Sequence, residues 1–401
     1  MASVLPFPFN MRIAKRVNDM APSGIRAFFD LVLGMKDVIS LGVGEPDFVT
    51  PWHIREKAIH SLEKGYTSYT SNKGMPELRQ EINKFLGERY GISYDFQEEI
   101  LVTVGVSEGL DLAFRAILNP GDKVMVPDPS YVSYGPVVEL TGGEVVRLKT
   151  DIKTGFKITP QSIEDCYSEG VKAIIINYPC NPTGTSYTKK ELRELAKVII
   201  KHDMILISDE VYDELTYDFE HTPFASLKGM KERTIYLNGF SKAYAMTGFR
   251  LGWAAGPAEI IAGMTKIHQY TMLCASITAQ IASIEALKSG FSDIAMMKRE
   301  YLRRRNYMVE ALNGIGLSCH MPQGAFYVFP SIKSTGMKSM DFAKDLLNKK
   351  KVALVPGSAF GQELDDFIRI SYASSYDNLK EAVARIDEYL KESKHGKKAR
   401  R

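Results

Sequence analysis

The chain has 401 residues, 45% of them hydrophobic and 25% charged, the balance of an ordinary globular protein large enough for two hydrophobic cores. Its formal charge of +3 includes +5 from the tail Lys394–Arg401 (KHGKKARR), leaving −2 for the rest; this excludes a nucleic-acid-binding body, and the tail reads as a disordered end. Four scattered cysteines and seven histidines without ligand spacing exclude a disulfide framework and a zinc site, and no long apolar run or signal-peptide core occurs, so no membrane contact and a cytoplasmic location are expected.

In chain order, Gly24–Leu33 is amphipathic and predicts a helical arm. Val38–Leu41 predicts a short strand leading into the turn Gly42-Val43-Gly44-Glu45-Pro46-Asp47. Pro51 and Pro76 each open a helix where a missing N–H is tolerated, to about Lys64 and Tyr90. The polar, aromatic loop Tyr66–Gly74 lies between them.

From residue 101 the pattern alternates. Apolar strands are expected near 101–104, 123–126, 143–148, 173–177, 204–208, 234–238 and 251–255, with helical patterns in most gaps. Leu110, Ala113, Phe114 and Ile117 share one helix face, and Thr188 with Glu191 forms a capping box. Runs such as Ala173–Ile176 are apolar on both faces, as strands inside a covered sheet must be. The fold class is therefore α/β, with a seven-stranded, mostly parallel sheet in a large domain. Beyond about residue 290 a long charged helix leads into a smaller α+β domain. The expected division is 1–50 as arm and first part of the small domain, 51–290 as the large domain, 291–393 as the small domain and 394–401 as tail.

In open α/β sheets ligands bind beyond the carboxyl ends of the strands, so the residues there carry the functional reading. Gly105-Val106-Ser107-Glu108 is a tight turn into a helix N-terminus, suited to an anion, though an ordinary N-cap serine reads the same. Tyr131 follows the next strand and is placed to stack on a flat ring or simply to pack. Asn181 sits in the rigid Asn177-Tyr178-Pro179-Cys180-Asn181-Pro182-Thr183-Gly184 loop. Asp209 ends an apolar strand, where a carboxylate needs a cationic partner, and Tyr212 follows it. Ser241, Lys242 and Arg250 lie between two apolar runs. Taken alone, such a lysine reads first as a surface residue in a turn; desolvated beside another cation, it becomes a nucleophile for carbonyls.

Together with Gly44-Glu45-Pro46-Asp47-Phe48, Tyr69, Gly74-Met75-Pro76-Glu77-Leu78-Arg79, Gly248-Phe249-Arg250 and Arg369-Ile370-Ser371-Tyr372-Ala373, these motifs resemble the class I and II pyridoxal-phosphate (PLP) aminotransferases of fold type I. The likeness is to their microbial aspartate, aromatic and N-acetyl-diaminopimelate branch and runs from about residue 10 to 390. The resemblance implies PLP held by Lys242 as an aldimine, with Lys242 also shuttling the proton. It implies Asp209 on the pyridinium nitrogen, Tyr212 and Asn181 on the phenolic oxygen and Tyr131 on the ring. Val106, Ser107, Ser241 and Arg250 would hold the phosphate, joined by Tyr69 from a second subunit of a homodimer. Arg369, Gly44 and Asn181 would bind the substrate carboxylate.

The expected function is amino-group transfer between an L-amino acid and a 2-oxo acid by ping-pong chemistry, with 2-oxoglutarate/glutamate as one pair. A fold-type-I PLP lyase, of the β-lyase or cyclopropane-forming type, is the alternative. Aspartate-preferring members often carry a lysine where this chain has Ser107. A broad pocket drawing on Ile25-Arg26 and Tyr270-Thr271-Met272-Leu273 is therefore expected, taking several neutral, aromatic or long-chain donors.

Overall fold

The computed structural model describes residues 13–22, 24, 32, 35–361 and 363–398. The arm helix expected over 24–33 lies almost wholly outside these residues, as do Ile25 and Arg26.

Twelve strands are seen among the described residues: β1 (Ile39–Ser40), β2 (Ile100–Thr103), β3 (Lys123–Asp128), β4 (Glu144–Lys149), β5 (Val171–Asn177), β6 (Ile205–Asp209), β7 (Thr234–Gly239), β8 (Gly252–Ala255), β9 (Tyr327–Val328), β10 (Val352–Ala353), β11 (Val355–Pro356) and β12 (Ile368–Ser371). Seven form the main sheet, in the order β2-β8-β7-β6-β5-β3-β4. All its pairings are parallel except those of β8, which runs antiparallel to both β2 and β7. Alternate side chains of the central strands feed two cores. Ile174, Ile176 and Leu206 pack on one face; Ala173, Ile175, Ile207, Ile235 and Leu237 pack on the other.

The helices follow the local signals. Thr188 accepts from the Glu191 N–H while Glu191 reaches back to the Thr188 N–H, starting the helix Lys189–Lys201. Pro76 opens Pro76–Tyr90, which stops at Gly91 in the left-handed conformation. After residue 290 the helices Phe291–Gly314, Ser339–Lys350 and Tyr376–Lys398 accompany the small sheet β11-β12-β9. β1 pairs in parallel with β10, so the N-terminal segment returns to this C-terminal part. A further core joins Leu41, Tyr212 and Leu215 to Met308, Phe326 and Ile370, seating the C-terminal part over the carboxyl ends of the main strands.

The last helix continues to Lys398, so the segment read as a disordered tail from Lys394 is helical over its first residues. Its approach is rich in helix-forming Glu, Lys and Leu, with i,i+4 ion pairs Glu381–Arg385 and Asp387–Lys391.

Candidate active site

A cavity of about 790 Å³ opens at the carboxyl ends of β2, β3, β5, β6 and β7. It is lined by Gly44, Val106, Ser107, Tyr131, Asn181, Asp209, Tyr212, Ser241, Lys242, Arg250 and Arg369. Eleven of the twelve residues singled out in the sequence thus meet in one place. Tyr69 does not. It lies on the loop after the helix Trp52–Glu63 with its side chain 83% exposed.

Lys242 leaves the turn after β7 and its Nζ donates to the Gly44 carbonyl at 2.7 Å. Burial pulls its ammonium down to about 8; the Arg369 and Arg250 charges act in the same direction, while Glu45 and Asp209 oppose it. A substantial fraction of Lys242 is therefore neutral near physiological pH, as a nucleophilic amine requires. Asp209 closes β6. Its carboxylate accepts from Tyr134 Oη at 2.6 Å and from the Val211 N–H at 3.3 Å. Burial nevertheless raises it to about 6, since these bonds only partly replace its hydration. A buried carboxylate of this kind calls for a cation.

At one end of the cavity Gly105, at φ +74°, turns the chain into the helix Gly105–Ile117, whose first turn carries the Val106 and Ser107 N–H groups. A Cβ at Gly105 would stand 2.8 Å from Arg250 Nη2, and one at Gly252 would stand 2.6 Å from the Val106 nitrogen. The two glycines therefore permit a cradle of backbone donors with a guanidinium against it. Arg250 is itself left-handed (φ 52°) and anchored through Nη1 on the Thr247 carbonyl at 3.1 Å.

At the other end lies Arg369, from β12. Nη1 donates to Asn181 Oδ1 at 2.8 Å and Nη2 to the Gly42 carbonyl at 2.5 Å, while Nε is buried without a partner. The guanidinium lies 4.6 Å from the Tyr327 ring centre and 5.1 Å from that of Phe360. Because the guanidinium only donates, it fixes the Asn181 oxygen toward itself and leaves the Asn181 amide free to donate elsewhere.

Several residues escaped the sequence reading. Tyr134 holds Asp209; it stands three residues after Tyr131, at the first position of the helix Tyr134–Leu140, in the same post-strand segment. Tyr327 Oη lies 2.9 Å from Tyr212 Oη. Asn177 supports both flanking segments, donating to the Asp209 carbonyl and accepting from the Asn181 N–H, each at 2.9 Å. Behind the Gly105 turn, Glu108 accepts from the Val104 N–H at 2.5 Å and faces the fully buried His268 at 2.6 Å. The stretch Tyr270–Leu273, expected at the pocket mouth, does not line this cavity. It spans the exposed end of the helix Ala258–Thr271 and the two residues after it, and the Leu273 carbonyl accepts from Asn72 in the Tyr69 loop at 2.8 Å.

A sheet of this topology, with a lysine of lowered pKa, a strand-end carboxylate and an anion cradle in one cavity, defines a pyridoxal-phosphate enzyme. The pattern of the family "Aminotransferase class I and II" matches residues 36–386, and the chain belongs to that family. It is 54% identical over 374 residues to YugH of Bacillus subtilis, which is named as an aminotransferase; the match spans 93% of this chain and 97% of that protein. It is 45% identical to the aspartate aminotransferase of Pyrococcus abyssi, over 96% of this chain and all of that protein. Among solved structures, the aromatic aminotransferase from Pyrococcus horikoshii superposes with a TM-score of 0.88 at 43% identity, covering 92% of this chain and 99% of that one. The protein is thus a PLP-dependent aminotransferase of fold type I. The cavity fits the cofactor: donors for a phosphate, a carboxylate for a ring nitrogen and an amine for the aldehyde are all present.

Proposed function

We propose that the enzyme works by two half-reactions at this cavity, taking the amino group from an L-amino acid and passing it to a 2-oxo acid, with 2-oxoglutarate/glutamate as one pair. The observation that carries this reading is that Lys242, Asp209 and the Arg369 guanidinium, its Nε without a partner, converge on one cavity. Bound there, PLP supplies an aldehyde that condenses with amines and a ring that takes up the electron pair released at the substrate Cα.

The protein's share is binding, orientation and proton transfer. Val106 and Ser107 N–H groups, Ser241 and Arg250 hold the phosphate, and Tyr131 covers the ring. Asp209, held by Tyr134, keeps the ring nitrogen protonated. Tyr212 Oη and the Asn181 amide donate to the phenolic oxygen. Arg369, whose Nε is without a partner, would receive the substrate α-carboxylate beside Gly44. Lys242 Nζ would take up the proton released at the substrate Cα and hold it for return within the cavity.

We read the working unit as a cytoplasmic homodimer, divided into a large part (51–290) and a small part (1–50 with 291–393). Tyr66 and Tyr69 on one loop, and Tyr270, Met272 and Leu273 at the end of the helix Ala258–Thr271, expose apolar surface on two segments tied together by Asn72, which supports a partner covering them. Tyr69 would then reach the partner's phosphate site. Ser107 offers a hydrogen bond but no charge to a distal carboxylate, which favours several neutral and aromatic donors over aspartate alone.

A half-reaction screen tests this reading. Each amino acid is mixed with holoenzyme while the visible cofactor band is followed. Bleaching by several donors, restored by 2-oxoglutarate, is the expected result. No bleaching by any amino acid refutes the proposed chemistry, and aspartate preferred in kcat/KM by more than about 10³-fold refutes the broad pocket.

A further inference from the structure

Tyr327 touches three groups to which separate roles have been given. Its Oη lies 2.9 Å from Tyr212 Oη. Its ring forms the floor under the Arg369 guanidinium, 4.6 Å from the ring centre. A Cβ on Gly44 would stand 2.6 Å from the same hydroxyl, so the glycine leaves room for it.

The placement is over-determined. On β9, Tyr327 pairs with Ser371 of β12, so Arg369, two residues along, is its diagonal neighbour on the same sheet face. The strand is aimed by Ala325 at φ 57°, whose carbonyl accepts from both Tyr217 Oη and Tyr372 Oη.

The hydroxyl pair has only one consistent polarity if Tyr212 acts as proposed. A phenol has one proton. If Tyr212 Oη spends its proton on the cofactor's phenolic oxygen, the 2.9 Å contact requires Tyr327 Oη to donate to Tyr212. A donor behind a donor polarises it and strengthens its outgoing bond.

We infer that Tyr327 is a positioning residue with two separable parts: its hydroxyl relays a hydrogen bond through Tyr212 to the cofactor, and its ring holds Arg369 flat for the substrate carboxylate. The inference rests on the roles proposed above for Tyr212 and Arg369. The other titratable groups facing this corner are Lys242, Asp209, Glu45, Arg250, Arg369, Tyr131, Tyr134 and Cys180, and Tyr327→Phe replaces none of them.

The test is a pH titration of the visible band of the Lys242-bound cofactor, with steady-state KM measured alongside. Strengthening of about 10–30% per bond in a chain converts to a rise of roughly half a pH unit in the midpoint for Tyr327→Phe, with KM for the amino acid unchanged. Tyr212→Phe should move the midpoint further in the same direction. Tyr327→Leu, which removes the ring, should in addition raise KM about three- to tenfold. If Tyr212→Phe shifts the midpoint while Tyr327→Phe, folded as judged by an unchanged circular-dichroism spectrum, does not, the relay is overturned and the role of Tyr212 stands. If Tyr212→Phe itself has no effect, that role fails and the relay fails with it. An unchanged KM in Tyr327→Leu overturns the ring's part.

Discussion

Replacing Asp209 by Asn should stabilise the cofactor-stripped protein while weakening its hold on PLP, and the gain should depend on pH. Burial raises this carboxyl from 3.8 to about 6. An acid whose folded-state pKa is raised binds more protons folded than unfolded, so stability falls as pH rises through that interval. The penalty is RT ln[(1 + 10^(pH−3.8))/(1 + 10^(pH−6))]: about 2 kcal/mol at pH 5 and about 3 kcal/mol at pH 7.5. Asparagine carries no charge and escapes it, but leaves an amide imperfectly paired, at a cost of about 1 kcal/mol. The net gain for Asp209→Asn is then about 1 kcal/mol at pH 5 and about 2 kcal/mol at pH 7.5. Urea unfolding of both stripped proteins at fixed concentration measures this directly. In the holoenzyme the sign reverses, because losing one member of a buried charge pair costs about 3–5 kcal/mol, or 10²–10³-fold or more in PLP affinity. A stability difference that stays flat between pH 5 and 7.5, or that shrinks as pH rises, would refute the reasoning.

Lys242→Ala should retain PLP through the phosphate and ring contacts, now removable by dialysis, and lose at least 10²–10⁴-fold in turnover; near-wild-type rates would end the proposed chemistry. In the stripped wild type, acylation of Lys242 by an amine-directed reagent, followed by mass spectrometry, should rise with a midpoint near pH 8, because burial lowers its pKa; a midpoint near 10.5 would contradict that. Arg369→Lys keeps the charge but loses the planar fork, so KM for amino acids should rise about tenfold or more; an unchanged KM would count against Arg369 as the carboxylate clamp. Mixing inactive Tyr69→Phe and Lys242→Ala chains should restore activity through one intact site per heterodimer; no recovery after verified subunit exchange counts against a shared site.

Much of this architecture follows from local signals. The capping box Thr188/Glu191, Pro76 at a helix start and the doubly apolar run of β5 each act within a few residues, and the elements form where those signals stand. The site's first circle was legible for a related reason. In a parallel sheet the residues just after each strand must gather at one edge, so Ser107, Tyr131, Asn181, Asp209 and Lys242 were bound to meet once the strands were recognised. Arg369 depended on resemblance, since no strand of the main sheet leads to it.

Only the tertiary structure decided who supports these residues. Tyr134 reaches Asp209 across 75 positions, Tyr327 reaches Tyr212 across 115, and His268 reaches Glu108 across 160. Each is an ordinary buried side chain in sequence and becomes specific through side-chain directions that strand register and helix rotation set together. The same limit explains Tyr270–Leu273, whose composition suits a pocket mouth but whose helix ends on the outer face, away from this chain's own cavity. Sequence carries short-range chemistry and strand-end topology; the long-range hydrogen bonds that raise or lower a pKa exist only once distant segments are packed against one another.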